Sequence, residues 1–123
     1  MATTASRASE LVAEFIGAWN AETQSERRRL LEATCNQQTR FVSTYGEHMG
    51  VEAQLEAIAA FRHQYPRGRC SARLLMEHHG WLLVSWVTEF GDGRVPLRGI
   101  DAGLIGPGGR LAQMVSFSPV PFL

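Results

Sequence analysis

The sequence predicts an α+β domain in which three helices precede a meander of four antiparallel strands. Two observations carry this. Apolar residues recur at helical spacing through the first half of the chain, and β-branched and aromatic runs broken by glycine-rich turns fill the second. The length adds a bound: 123 residues can bury one substantial core, whereas two cores would each be marginal, so residues 1–123 are expected to form one domain.

From Ala8 to Trp19, the apolar residues Leu11, Val12, Phe15, Ile16 and Trp19 lie along one helical stripe, and Ser6 or Ser9 can cap its start. Thr23-Gln-Ser-Glu26 has the form of a capping box. It opens a second helix through Arg27, Arg28, Arg29, Leu30 and Leu31 toward Cys35, with the arginine triplet as a solvated face. Arg40 to Tyr45 reads as a short strand around Phe41-Val42, leading into a turn through Gly46 and Gly50. Val51 to Gln64 carries Leu55, Ile58, Ala59 and Phe61 at helical spacing. Pro66 ends this third helix, because the residue before a proline avoids helical geometry.

Strands are predicted near 69–78, 81–90, 94–105 and 110–118, separated by His79-Gly80, Gly91-Asp92-Gly93 and Gly106-Pro107-Gly108-Gly109. Connections this short force successive strands to pair antiparallel into one twisted sheet, against which the helices pack. The segment Trp81-Leu-Leu-Val-Ser-Trp86-Val-Thr is apolar on both faces, so the face turned from the helices also calls for cover. A homodimer through that face is the simplest arrangement.

Composition excludes several function classes. Twelve basic residues balance twelve acidic ones, leaving no net field to attract nucleic acid or an anionic membrane surface. Cys35 and Cys70 form no CxxC and have no clustered histidines, which argues against structural zinc. The first nine residues lack a signal-peptide pattern, and no stretch approaches the ~18 apolar residues of a membrane span. A cytoplasmic setting with free thiols is expected. No phosphate loop, dinucleotide fingerprint or Ser-His-Asp order is present, so no cofactor is expected.

The residue that stands out is Asp101, in Leu97-Arg98-Gly99-Ile100-Asp101-Ala102-Gly103-Leu104-Ile105. Aspartate is depleted in strands, and alternation puts Gly99, Asp101 and Gly103 on one face. If that face meets the helices, the pattern describes a cavity with one carboxyl in its wall and open slots beside it. Burial there raises a carboxyl pKa, which suits proton transfer near neutral pH. A strand aspartate also serves simply as an acceptor for backbone or tryptophan donors, and strand glycines also mark bulges or close packing. The pattern alone leaves both readings open.

Tyr45, His48 and His63 lie where they could reach a pocket mouth, and an imidazole near Asp101 would complete an acid–base pair. The competing reading makes His63 a solvated helix residue and His48 a loop residue, and His78 and His79 fall at a hairpin turn. Phe15, Trp19, Phe41, Phe61, Trp86 and Met114 supply core or pocket lining, which implies a small, largely apolar ligand. Ser116, on the last strand, joins them as a lining candidate.

The segment Arg98-Gly-Ile-Asp101-Ala-Gly-Leu-Ile-Gly-Pro-Gly-Gly-Arg110-Leu-Ala-Gln-Met114 resembles the end of ketosteroid isomerases and SnoaL-like polyketide cyclases of the nuclear transport factor 2-like superfamily. In those proteins a strand ending in Ile-Asp or Val-Asp leads into a glycine turn and Gly-Lys/Arg-Ile/Val. The upstream order is similar too, from Glu14-Phe15-Ile16 through Phe41-Val42 to a Gly50-led helix. The resemblance implies a cone-like fold, with three helices on a curved antiparallel sheet around a central pocket. It implies Asp101 as the pocket acid, which donates to an oxyanion in the isomerase and acts as acid/base in the cyclases. Met114 would match an apolar pocket wall. It also implies departures. The isomerase base falls near Ser43, which has no carboxylate, and the oxyanion tyrosine falls on Phe15. The arginine and aspartates of limonene epoxide hydrolases have no counterpart in Val84-Ser85-Trp86 or Val115-Ser116-Phe117. The expected function is cofactor-independent isomerase, cyclase or lyase chemistry at Asp101, with a non-catalytic ligand-binding or dimerising domain as the alternative.

Overall fold

The computed structural model describes residues 4–120, with side chains from Arg7 onward. Its elements are α1 (Thr4–Asn20), α2 (Gln24–Thr34), β1 (Arg40–Ser43), β2 (Gly46–Met49), α3 (Val51–Gln64), β3 (Arg69–His78), β4 (Trp81–Glu89), β5 (Leu97–Ile105), a short 3-10 turn at Pro107–Gly109 and β6 (Leu111–Phe117).

The helices form where their apolar stripes require. On α1, Ala8, Leu11, Val12, Phe15 and Ala18 are all buried, at the spacing that keeps side chains on one face. The helix begins at Thr4, so Ser9 sits inside it rather than at its cap, and the side chain of Ser6 lies outside the described residues. Thr23 caps α2 by accepting a bond from the Glu26 amide at 3.2 Å. The reciprocal half of the capping box is not made. Instead, the Glu26 carboxylate takes two bonds from Arg29, at 2.6 and 3.0 Å.

The meander β3-β4-β5-β6 pairs antiparallel throughout, as its short turns demand. What the sequence reading lacks is the far edge of the sheet. Gly46–Met49 is a strand, not part of a turn, and it forms a hairpin with β1 in which Phe41 faces His48. β1 then lies parallel to β6, giving a six-stranded mixed sheet ordered β2-β1-β6-β5-β4-β3. Gly-Glu-His-Met has no apolar alternation of its own, so pairing with β1 is what holds it extended. Two details fix the junction. The fully buried Thr39 hydroxyl donates to the Leu111 carbonyl at 2.6 Å. Gly50 turns the chain from β2 into α3 at φ 93°, where a Cβ would meet the Gln37 carbonyl at 3.1 Å.

The sheet curves over the helices. Along β4, Leu82 and Val84 point inward and are 3% and 2% exposed, while their neighbours Trp81 and Leu83 point outward at 46% and 40%. The inward residues join Leu31 of α2, Leu55 and Ile58 of α3, and Leu111 and Met114 of β6 in the core.

Candidate functional site

Between α1, α3 and the concave face of the sheet lies a cavity of about 850 Å³, large enough for a small organic molecule. Asp101 is in its wall. Strand register explains how the carboxyl is placed. Asp101 stands opposite Ser116 on β6, with Gly99 and Gly103 one pleat away on either side. Those glycines do not leave open slots, as the sequence suggested; both slots are filled by neighbours. A Cβ on Gly99 would collide with the Trp86 indole, whose Cε2 lies 2.6 Å away, and one on Gly103 would meet the Met114 sulfur at 3.0 Å. The missing side chain at Gly99 therefore lets the indole lie flat across β5, where its Nε1 donates to Asp101 Oδ1 at 2.8 Å.

Two opposing effects act on this carboxyl. Desolvation in the cavity wall disfavours the charged form, while hydrogen bonds from Ser116 and Trp86 favour it. Desolvation is the larger, so the Asp101 pKa is raised above the ordinary aspartate range. No arginine contributes to that balance, which agrees with the exposed side chain of Arg98 on the adjoining residue.

The cavity has two chemically distinct ends. At one, aromatic rings form a chain: Trp19 meets Phe61 edge-on at 5.6 Å, Phe61 meets Tyr65 at 5.5 Å, and Tyr65 meets Phe90 at 4.6 Å. Arg94 caps this chain, 4.9 Å above the Tyr65 ring and 5.3 Å from the Phe90 ring. At the other end Phe15, Phe41 and His48 stack with centroid separations of 6.1 and 5.1 Å. There His48 Nε2 lies 2.6 Å from the amide oxygen of Gln54, a residue only 3% exposed.

All seven lining candidates, Phe15, Trp19, Phe41, Phe61, Trp86, Met114 and Ser116, border this cavity together with Asp101. The two other candidate catalytic residues fare differently. Tyr45 borders the cavity from the β1–β2 turn but is 91% exposed, so it sits at the rim with its ring in solvent. His63 is brought elsewhere. Ala57, Ala60, Phe61 and Gln64 turn toward the cavity, and helical spacing sends His63 to the opposite side of α3, into a shallow polar recess beside Glu22, Arg27 and Arg62. That recess is a fastening: buried Arg62 donates to the Pro66 carbonyl at 2.9 Å, to the Gly68 carbonyl, and to Glu22 at 3.2 Å.

Sequence reasoning missed Gln54, Tyr65, Thr88, Phe90 and Cys70 as lining residues, and it treated His48 as part of a loop. The available signal was the two-residue connection Thr44-Tyr45, which mirrors Phe41 onto His48 once a hairpin is drawn. Cys70 contacts the Thr88 hydroxyl at 3.2 Å. Its thiol pKa is raised, first by burial and also by the nearby Asp101 charge, so it stays protonated and unreactive. Burial pushes the Cys35 thiol up to about 11. Among the described residues no group of His, Cys, Asp or Glu is arranged to hold a metal ion, and no helix is long and apolar enough to cross a membrane.

No protein-family model matches the sequence, and no curated protein matches it significantly. Solved structures do match. A candidate isomerase of the SnoaL-like family from Agrobacterium tumefaciens superposes with a TM-score of 0.83 at 24% identity, covering 91% of this chain and 97% of its own. A candidate SnoaL-like polyketide cyclase from Jannaschia gives 0.77 at 13% identity, covering 94% and 87%. A nuclear transport factor 2-like protein of unknown function from Cytophaga hutchinsonii gives 0.70 at 16%, covering 99% and 96%. At these identities the likeness speaks to architecture, and the architecture is unambiguous: the chain has the nuclear transport factor 2-like fold of the SnoaL-like proteins.

Proposed function

We propose that this protein is a cofactor-independent enzyme of the isomerase or cyclase type, which moves a proton on a small apolar carbonyl compound with Asp101 as general acid/base. One observation carries the reading: the only carboxyl with a raised pKa among the described residues stands in the wall of a mostly apolar cavity. In its protonated form, which burial favours, Asp101 donates a hydrogen bond to the substrate's carbonyl oxygen, and the charge developing there in the transition state strengthens that bond. The Trp86 donor, at Oδ1, fixes the carboxyl's orientation in the cavity wall. The aromatic chain from Trp19 to Phe90 holds the apolar body of the ligand.

Solvent-deuterium incorporation into 2-tetralone, a bicyclic enolisable ketone well within the cavity's size, tests this by proton NMR. The wild type is expected to speed exchange over buffer, and Asp101→Asn to lose roughly a hundredfold or more of that rate with folding intact. Absence of acceleration, or full activity in Asp101→Asn, contradicts the reading.

The bonds from Trp86 and Ser116 also favour a second reading, in which Asp101 is a satisfied structural acceptor and the cavity only binds its ligand. Quenching of Trp19 and Trp86 fluorescence by a ligand that is not turned over would select it. With either function we propose a homodimer through the convex face of the sheet, where Leu74, Met76, Trp81, Leu83 and Phe117 are exposed together, and a cytoplasmic setting for the two free thiols.

A further inference from the structure

The proposed chemistry needs a partner for Asp101 that takes a proton from carbon, and of the sequence candidates Tyr45 stands in solvent at the rim and His63 faces away from the cavity. The edge strand β2 supplies a group of that kind. We infer that His48 is the proton acceptor that works opposite Asp101, and that Gln54 is the positioning residue that sets its tautomer. This rests on the proton-transfer reading above and extends it to a specific pair of groups and a substrate class.

Three observations support it. The first is placement. His48, Phe41, Met114 and Gly103 form one row across β2, β1, β6 and β5, and Asp101 is on the next inward-facing pleat of β5. Three strand spacings of about 4.8 Å separate His48 from β5 along the sheet. The sheet is curved, and both residues border the same cavity, within which one small molecule can contact both.

The second is the hydrogen bond to Gln54. With the Gln54 amide oxygen turned to it at 2.6 Å, Nε2 is placed to be the donor, an arrangement that leaves the Nδ1 lone pair as the ring's free base. Gln54 is buried in the first turn of α3, and its backbone N–H donates to the Gly50 carbonyl at 3.2 Å. The turn that ends β2 thus places His48 and Gln54 together, six residues apart in sequence.

The third is confinement. The imidazole stacks on Phe41 at 5.1 Å with an interplanar angle of 24°, which limits its rotation. The adjacent carboxylate, Glu47, is engaged by Arg40 at 2.6 Å rather than by the imidazole.

The step balances without a co-reactant. Nδ1 takes a proton from the carbon next to the substrate's carbonyl. The C–H electron pair becomes the new C=C bond, and the carbonyl oxygen gains electron density while held by the Asp101 carboxyl. The imidazolium then returns a proton to the same carbon, which in a simple ketone is exchange with solvent, or to the γ-carbon where a β,γ-double bond in the substrate makes the intermediate a dienol, and the enzyme is restored. The substrate class is therefore an enolisable carbonyl compound with its acidic carbon toward the β1–β2 hairpin and its apolar body toward Trp19 and Phe61.

The test combines two measurements on the full chain. Long-range nitrogen–proton NMR reads the neutral imidazole of His48. The expected result is the Nε2–H form in the wild type and a mixture in Gln54→Leu; the Nδ1–H form in the wild type would overturn the inference whatever the protein's activity. Deuterium exchange into 2-tetralone is then compared between His48→Gln and Asp101→Asn. His48→Gln is expected to lose roughly a hundredfold of the exchange rate, with 2-tetralone still quenching tryptophan fluorescence at wild-type concentrations. His48→Asn serves if the glutamine variant melts early. If His48→Gln exchanges at the wild-type rate while Asp101→Asn does not, the inference fails and the proposed function stands. If the wild type leaves the ketone unexchanged, both fail.

Discussion

The two faces of the sheet are both apolar, yet they do different things. On the concave face, inward residues of β4, β5 and β6 line a cavity and desolvate one carboxyl. On the convex face Leu74, Met76, Trp81, Leu83 and Phe117 stand exposed, uncovered among the described residues. Apolar surface is thus used in two ways in one sheet. Where helices arch over it, it desolvates an acid and raises its pKa; where they do not, it forms the surface on which we propose a second copy docks.

Adjacent leucines on β4 give the sharpest contrast. Leu82→Ala is expected to cost about 2–5 kcal/mol in urea unfolding, because it opens a cavity in a close-packed core. Leu83→Ala, one residue along and facing out, should cost under about 1 kcal/mol in a monomer. Equal losses would mean that the convex face is as fully packed as the concave one.

Gly99→Ala is expected to cost about 1–3 kcal/mol, since the new methyl displaces the Trp86 indole. With that donor gone, the Asp101 pKa should rise further, because Trp86 is one of the two bonds that lower it. A fall on NMR titration would contradict the assignment of the donor.

On the convex side, Met76→Lys with Leu83→Lys should shift the wild type from dimer to monomer in sedimentation without changing the circular dichroism. A wild type already monomeric at micromolar concentration would remove the dimer from the account.

The smallest effect concerns pH. Asp101 has a raised pKa in the folded protein, so the folded state binds its proton more tightly than the unfolded chain does. Its contribution to stability is full below the ordinary aspartate range and is lost as pH rises through the folded-state value. Asp101→Asn should flatten that part of the stability profile, and an unaltered profile would count against desolvation.

The legible parts of this molecule were those where local chemistry and final structure agree. Short glycine turns dictated the antiparallel meander, and the stripes on α1 and α3 dictated which faces are buried. Asp101 was visible because an acid between two glycines is anomalous in a strand. The β1–β2 hairpin was not legible: Gly46–Met49 has no periodicity, and its pairing depends on a parallel contact with β6, some seventy residues away. Without the hairpin, His48 reads as a loop residue at a pocket mouth and Gln54 goes unnoticed, while His63, the other imidazole considered, is turned away from the cavity by α3. The role of Gly99 was likewise hidden. Its slot looks empty along its own strand and is filled only by Trp86 from the next one.

The central claim is that the cavity wall holds Asp101 as a proton-transfer group, and the carboxyl carbon chemical shift of Asp101, followed against pH with Asp101→Asn to assign it, tests that most directly. The account predicts a midpoint above the ordinary aspartate range, set by desolvation against the Trp86 and Ser116 bonds. A midpoint at or below that range would contradict it and make the carboxylate a structural acceptor for Trp86.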